Sequence, residues 1–257
     1  MSDGKSIASN RDPGGASDRG DADAVAVTAM ARTIARSGPG TAMTTVELET
    51  QRLIHEDLLD PHPTDTFREL RTRLLLSTEI RSPVILVSGV SAGCGSSFVA
   101  RNLAAAIALE EDRTALLIDC NPRRPSLERT FAVESGPGLW DYLRSPQVHA
   151  DQIIYATGVE RLDVIPTGRI PRGGGDHLAS LRMHALVVGL TGRFPHCCLI
   201  FDAPPAIGSP EARMLAERAD LIILVAGAGL HGPEAITQAS RVFDPEKLAG
   251  VVFNELP

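Results

Sequence analysis

The chain has 257 residues, 43% of them apolar, which is enough to build a substantial core, and its formal net charge is −7. This acidic balance disfavours binding to nucleic acid through overall charge. No apolar run approaches the roughly 20 residues that a membrane-spanning helix requires. Lysine is nearly absent, since only Lys5 and Lys247 occur among the 25 lysines and arginines.

The first segment, residues 1–45, is predicted to be a flexible lead. Residues 1–21 are rich in Gly, Ser, Asp and Arg and hold too few apolar side chains to bury a core. A short helix is predicted over residues 23–36. It is either a transient helix in a tail or a docking segment for a partner.

Two leading helices are predicted in residues 46–80. Apolar residues at helical spacing place the second helix at 66–77, and a helix or turn–helix is predicted at 46–57. The prolines at 61 and 63 are expected to end the first helix, and Thr64 and Asp65 to cap the second.

Residues 81–257 alternate apolar strands with helices. Strands are predicted at 84–88, 114–119, 162–165, 197–202, 221–226 and 250–254. Helices are predicted at 98–109, 139–144, 177–193, 211–219 and 233–242. Continuous apolar strands separated by helices indicate a sheet that is covered on both faces. The predicted fold class is therefore α/β, with a doubly wound, mostly parallel sheet that binds ligands beyond the carboxyl ends of its strands.

A glycine-rich loop connects the first of these strands to its helix. It reads Gly89-Val90-Ser91-Ala92-Gly93-Cys94-Gly95-Ser96-Ser97, close to the phosphate-loop pattern G-x-x-x-x-G-K-[ST]. Such loops bind phosphate through backbone N–H groups and the dipole of a helix N-terminus. Gly93 and Gly95 supply backbone freedom around Cys94, and Ser97 stands where a hydroxyl ligates Mg²⁺. Ser96 replaces the lysine, so we expect a P-loop NTPase fold whose phosphate cradle lacks its central cation.

Two other predicted strands end in an aspartate at the same edge. Asp119 ends strand 114–119, and Asp202 ends strand 197–202 in the form of a Walker B segment. Nucleotide-bound Mg²⁺ needs such strand-ending acids. We therefore assign Asp119 and Asp202 as candidate catalytic and metal-binding residues, with Ser97 as a further metal ligand. The loop alone would also be compatible with an ordinary strand–turn–helix connection.

In these segments the sequence resembles the bacterial tyrosine kinases, P-loop autokinases that regulate capsule and exopolysaccharide assembly. Residues 117–125, L-I-D-C-N-P-R-R-P, resemble the family's second Walker motif, L-I-D-x-D-x-R-x-P. Other segments match in the family's order, at 66–72, 138–143, 165–168, 182–183, 201–205 and 251–254. The resemblance covers about residues 65–257. It implies a nucleotide site that includes Asn121 and Arg123, with Asn254 reading the adenine base.

The departures from the family's pattern bear on catalysis. The family's loop reads P-G-E-G-K-[ST], where this chain has Ser96, and Asn121 replaces the second acid of D-x-D. Losing one charged contact to phosphate would remove about 1.5–3 kcal/mol of binding free energy. The loss would be larger in a transition state that concentrates charge. The family's C-terminal tyrosine cluster is also missing, because the only tyrosines are Tyr142 and Tyr155.

A neighbouring arginine is the alternative source of positive charge. Arg123 and Arg124 follow the second Walker motif and are the candidates. Arg101 comes one helical turn after Ser97 and is expected to point away from the phosphates.

The second leading helix carries a charged motif, Asp65-x-x-Arg68-x-x-Arg71. It resembles the family's E-x-x-R-x-x-R, which the resemblance implies is a subunit contact. The three side chains lie at i, i+3 and i+6, roughly along one side of a helix. Because Asp replaces Glu, a solvated charged face is the alternative.

Together these features predict a catalytically weakened or inactive relative of the bacterial tyrosine kinases. It would be cytoplasmic and peripheral at the inner membrane, as the partner or regulator of a membrane chain-length or polysaccharide co-polymerase protein. ATP or ADP with Mg²⁺ would be its cofactors if the site functions, a homo-oligomer is possible, and no nucleic-acid partner is expected. The alternatives are an active tyrosine autokinase or ATPase, and a partitioning-type ATPase. The absence of a signature lysine early in the loop argues against the last.

Overall fold

The structure, a computed structural model, describes residues 42–133, 136–170 and 174–255. The helix predicted over residues 23–36 lies outside this part of the chain. Within it, no helix combines the length and the apolar character needed to cross a membrane.

Strands and helices alternate along the described residues. The strands are β1 (Val84–Gly89), β2 (Thr114–Asp119), β3 (Tyr155–Ala156), β4 (Leu162–Ile165), β5 (Cys197–Asp202), β6 (Leu221–Gly227) and β7 (Leu248–Asn254). The helices are α1 (Thr45–Thr50), α2 (His62–Leu76), α3 (Ser96–Ala108), α4 (Leu127–Thr130), α5 (Leu139–Arg144), α6 (Leu181–Arg193), α7 (Pro210–Ala216) and α8 (Pro233–Ser240). Two 3₁₀ helices cover Ala150–Gln152 and Gly174–Ala179.

The strands form one sheet in the order β3-β4-β2-β5-β1-β6-β7. All neighbours pair in parallel except β3 and β4, which are antiparallel. Every residue of β1, β2, β5 and β6 is buried, as expected for parallel strands that are covered on both faces. The predicted α/β fold with a mostly parallel sheet is therefore confirmed.

Alternate residues of the strands fill two apolar cores, one on each face of the sheet. On one face, Leu86 of β1 belongs to a cluster with Trp140 of α5 and Met183 of α6. On the other face, Ile85 belongs to a cluster that includes Leu103 of α3. The sheet thus holds its carboxyl edge rigid between two helical layers.

The leading helices differ from the prediction at their ends. α1 is shorter than predicted, and a capping box between Thr44 and Glu47 opens it. α2 begins at His62 with Pro61 at the N-cap, and no side chain caps it. The prediction that Pro63 ends a helix and that Thr64 and Asp65 cap the next one is therefore wrong. A proline in the first turn removes no intrahelical hydrogen bond, so Pro63 lies inside the start of α2.

The segment before β1 is tied directly to the helix that follows the glycine-rich loop. Asn102 of α3 is fully buried, accepts a 2.8 Å hydrogen bond from Ile54 N and donates to Arg52 O. Arg71 of α2 donates to Ala106 O at 2.7 Å. The same guanidinium forms a 3.0 Å ion pair with Glu110, just beyond the end of α3.

These contacts divide the charged motif of α2. Arg71 turns inward and its side chain is only 14% exposed. Arg68 is more exposed and lies 3.8 Å from Asp65 and 3.7 Å from Glu56. A subunit contact through this motif remains a prediction, in which Asp65 and Arg68 are the available side chains.

Candidate functional site

The parallel register brings two carboxylates together. β2 and β5 are neighbours, and Asp119 lies directly opposite Asp202 where both strands end. β1 is the next strand along, so the loop that leaves β1 lies at the same edge. Three segments that are far apart in the sequence therefore meet at one point.

The glycine-rich loop curls because two of its glycines adopt left-handed backbone angles. Gly93 and Gly95 both have φ of +88°, and Gly95 is the N-cap of α3. Val90 N donates to Val225 O of β6, which anchors the start of the curl. Residues other than glycine rarely adopt this backbone conformation. The loop therefore presents the first amides of α3 in the manner of a phosphate-binding loop.

A cavity of about 440 Å³ opens over this loop. Of the predicted nucleotide-site residues, those that line it are Gly93, Gly95, Ser96, Ser97, Asn121 and Arg123. Cys94, Asp119 and Asp202 are almost completely buried and do not line it. Arg124, Ser91 and Ile207 complete much of the remaining wall.

Asp202 is an uncompensated buried acid. It is fully buried, and neither carboxylate oxygen completes a hydrogen bond within the described residues. Burial and the neighbouring Asp119 raise the pKa of Asp202 to about 8, against the smaller opposing effects of the Ser97 hydroxyl and Arg101. At neutral pH a proton therefore occupies this carboxyl for much of the time.

Asp119 is also fully buried, but its oxygens are occupied. One oxygen accepts from Asn121 N, and the other accepts from Ser126 N at 2.9 Å and Leu127 N at 3.2 Å. Burial raises the pKa of Asp119, and these amides oppose that rise. The carboxylate thus folds the segment after β2 and fixes the start of α4.

The oxygen atoms at this edge fit a hard cation. Both Asp202 oxygens and Asn121 Oδ1 are buried without hydrogen-bond partners, and Ser97 lies beside Asp202. Mg²⁺ prefers such oxygen ligands and commonly shares them with substrate phosphates. Within the described residues no group of three or more His, Cys, Asp or Glu side chains could hold a metal. Phosphate oxygens and water would complete the coordination of Mg²⁺ at such a site.

Among the described residues, arginines supply the positively charged side chains near the loop. Lys247, the one lysine of the described residues, donates to Ala216 O and Glu217 O at the end of α7. Arg123 lies 3.4 Å from the buried carboxylate of Glu211. Arg124 lines the cavity and forms no ion pair with any described residue. It is therefore the free cation at the cavity wall.

Arg101 occupies a different position. Its guanidinium lies over the Phe98 ring at 5.3 Å, and the side chain does not line the cavity. Burial lowers the pKa of Arg101, and attraction to Asp202 opposes that effect. The side chain is near the buried acid without facing the space above the loop.

Asn254 contacts the loop itself. Its Nδ2 donates a 3.0 Å hydrogen bond to Cys94 O, so the last residue of β7 holds the middle of the loop. A side chain at Gly95 would collide with this amide. The resemblance assigned Asn254 to the adenine base, and the structure adds this contact with the loop.

A further pair at the cavity was missed by the sequence analysis. His231, in the turn between β6 and α8, lies with Nε2 2.7 Å from Ser91 Oγ. His231 is 140 residues from Ser91 along the chain, so no local motif reveals the contact. Only the adjacency of β1 and β6 in the sheet could have suggested it.

The parallel sheet, the loop-to-helix turn and the strand-ending aspartates define the P-loop NTPase fold. Solved structures agree with this class. The BceF tyrosine kinase domain superposes with a TM-score of 0.66 at 29% identity, over 76% of this chain and 78% of that domain. A ParA family ATPase from Chlorobium tepidum shares the fold alone, with a TM-score of 0.51 at 16% identity over 67% of this chain and 74% of that one.

Relatives known from sequence indicate which kind of P-loop protein this chain resembles. EpsB of Ralstonia solanacearum, named as a candidate tyrosine-protein kinase, is 31% identical over 209 residues, which are 80% of this chain. The tyrosine-protein kinase YwqD of Bacillus subtilis is 28% identical over 74% of this chain and 80% of its own length. No protein-family model matches. These homologues and the BceF domain support assignment of the chain to the bacterial tyrosine kinase family. The chain spans 27% of the length of EpsB.

The loop glycines offer a matched test of the Asn254 contact. Gly93→Ala should cost about 1–2 kcal/mol of unfolding free energy, because alanine must adopt a positive φ. Its methyl group would meet no other atom within 4 Å, so no steric collision adds to this cost. Gly95→Ala should cost about 1 kcal/mol more, because it also displaces the Asn254 amide from Cys94 O. Urea unfolding measures both. In an Asn254→Ala background the two substitutions should cost the same. Equal costs in the natural background would contradict the contact.

The buried acid predicts a particular pH dependence of stability. The pKa of Asp202 is about 8 in the folded chain and 3.8 as its ordinary value, so the folded state binds this proton more tightly. This contribution to stability is complete below about pH 4 and is lost as the pH rises toward 8. Asp202→Asn should therefore stabilise the protein by several kcal/mol at pH 8 and by little at pH 4.5. Urea unfolding at both values measures this. The exposed control Asp112→Asn should change neither, and a difference for Asp202→Asn that does not depend on pH would contradict the argument.

Proposed function

We propose that this protein binds ATP or ADP with Mg²⁺ and transfers phosphate weakly or not at all, acting as a regulator of exopolysaccharide or capsule assembly. The observation that carries the proposal is Ser96 at the lysine position of an otherwise formed phosphate loop. The loop keeps its backbone curl, its helix N-terminus and its cavity. It lacks the side chain that would neutralise the phosphates during transfer.

Binding is supported by groups that do not depend on lysine. No side chain caps the N–H groups in the first turn of α3, which lie at the end of the helix next to the cavity. The helix dipole favours an anion at this end. Arg124 adds a free positive charge at the wall. Asp202, Asn121 and Ser97 supply oxygen ligands that suit Mg²⁺. We expect affinity for Mg-nucleotide that is weaker than that of a lysine-containing loop.

Phosphate transfer requires more than binding. Such sites accelerate phosphate transfer mainly by stabilising the negative charge of the transition state. The neutral side chain of Ser96 brings no positive charge for this purpose. Asn121 carries no charge and cannot act as a base. Asp119 already accepts three backbone N–H groups, whereas Asp202 accepts no hydrogen bond from the described residues and is the more available of the two to bind metal.

The biological setting is inferred from the family. We expect a cytoplasmic protein that is peripheral at the inner membrane and bound to a membrane chain-length or polysaccharide co-polymerase protein. Asp65 and Arg68 are exposed on α2 and are candidates for contact between copies in a homo-oligomer. The membrane partner would then respond to whether nucleotide occupies the loop.

An active tyrosine autokinase or ATPase is the second candidate. It is favoured by Arg123 and Arg124, which both line the cavity and could replace the lysine. Arg123 is partly neutralised by Glu211, so Arg124 would be the more effective of the two.

Calorimetric titration with Mg-ADP and Mg-ATP tests the proposal. The natural protein should bind, and Ser96→Lys should tighten binding by at least tenfold, which corresponds to about 1.4 kcal/mol. Ser96→Met is the control, because it adds a chain of similar length without charge and should not tighten binding. The Arg124→Gln protein should bind more weakly than the natural protein.

The two candidate functions differ in their products. Incubation with Mg-ATP should yield little or no ADP or phosphotyrosine from the natural protein. Turnover that disappears in Arg124→Gln would establish the active alternative. Absence of nucleotide binding to the natural protein would refute the proposal, whether or not the Ser96→Lys protein binds.

A further inference from the structure

His231 is positioned by the backbone of the neighbouring strand. Its Nδ1 lies 3.1 Å from Gly227 N, at the end of β6, and its Nε2 lies 2.7 Å from Ser91 Oγ in the phosphate loop. The turn that carries it contains Gly229 with φ of +74°, which brings the chain back toward β6. Both ring nitrogens are therefore engaged at once.

These two contacts fix where the imidazole proton lies. A backbone N–H can only donate, so His231 Nδ1 must accept from Gly227 and cannot carry a proton. In the neutral ring the proton then lies on Nε2, which donates to Ser91 Oγ. In the opposite arrangement, Ser91 would donate to Nε2 and the ring proton would lie on Nδ1. That proton and the Gly227 N–H proton would then both lie between Nδ1 and Gly227 N.

The direction of this bond determines what Ser91 can do. Because its oxygen accepts from His231, its own O–H is free to donate elsewhere. Ser91 lines the cavity and is only partly buried, together with Gly93, Gly95 and Ser96 of the same loop. A hydroxyl that is held in this way offers a donor to an anion in the cavity.

We infer that Ser91 is a phosphate-binding residue of this loop and that His231 is the positioning residue that orients its hydroxyl. The pair supplies a neutral hydrogen-bond donor in a loop that has lost its lysine. The ligand it fits is a phosphate group of the bound nucleotide, so this inference rests on the proposed function. His231 acts through Ser91 and does not itself touch the phosphate.

Two substitutions at His231 separate positioning from simple packing. Glutamine keeps an N–H near the Nε2 position and can still donate to Ser91. Asparagine keeps an acceptor near the Nδ1 position for Gly227 N but does not reach Ser91. Calorimetry with Mg-ADP should show that Ser91→Ala and His231→Asn each weaken binding roughly three- to tenfold. His231→Gln should retain most of the affinity, and Ser91→Ala combined with His231→Asn should be no weaker than either alone.

The proton position can be measured without relying on any variant's affinity. Long-range ¹H–¹⁵N NMR of the natural protein should show His231 as the neutral ring with its proton on Nε2, assigned by the loss of its signals in His231→Gln. A proton on Nδ1 would overturn the inference. So would unchanged Mg-ADP affinity in Ser91→Ala while the natural protein binds, which would leave the proposed function standing. If the natural protein binds no nucleotide, both fail.

Discussion

The arrangement of this site depends on two carboxylates that the parallel register forces together at a buried edge. Like charges this close, removed from water, cannot both remain ionised without compensation. Backbone amides compensate Asp119, and Asp202 is left to hold a proton or a cation. Because the described chain brings no lysine to this edge, a metal ion is the natural partner of an ionised Asp202.

The loop above the acids is held by neutral contacts. Asn254 holds its centre through Cys94 O, His231 holds its beginning through Ser91, and the left-handed glycines set its curl.

The parts of the fold that could be predicted from the sequence are those with a strong local signal. β2, β4 and β5 have the predicted bounds, because each is a continuous apolar run between polar residues. β3 was missed because it is two residues long and pairs only at the sheet edge. The start of α2 was misplaced because proline, a breaker inside helices, is tolerated in a first turn.

Within the site, too, the features with a local sequence pattern could be predicted, and those that depend on distant contacts could not. The loop and both strand-ending aspartates carry residue patterns that point to phosphate and Mg²⁺. The commitment of Asp119 to backbone amides has no such pattern, since it depends on how residues 121–127 fold back. The contacts of Asn254 and His231 with the loop span more than 100 residues and depend on strand order.

Nucleotide binding with weak or absent phosphate transfer can be tested in one experiment, ³¹P NMR of Mg-ATP with an excess of the natural protein. We expect the three phosphate signals to shift on binding and then to persist for hours, with little or no signal from ADP or inorganic phosphate. Rapid conversion to ADP would contradict weak or absent transfer. Unshifted signals at high protein concentration would contradict the claim of binding.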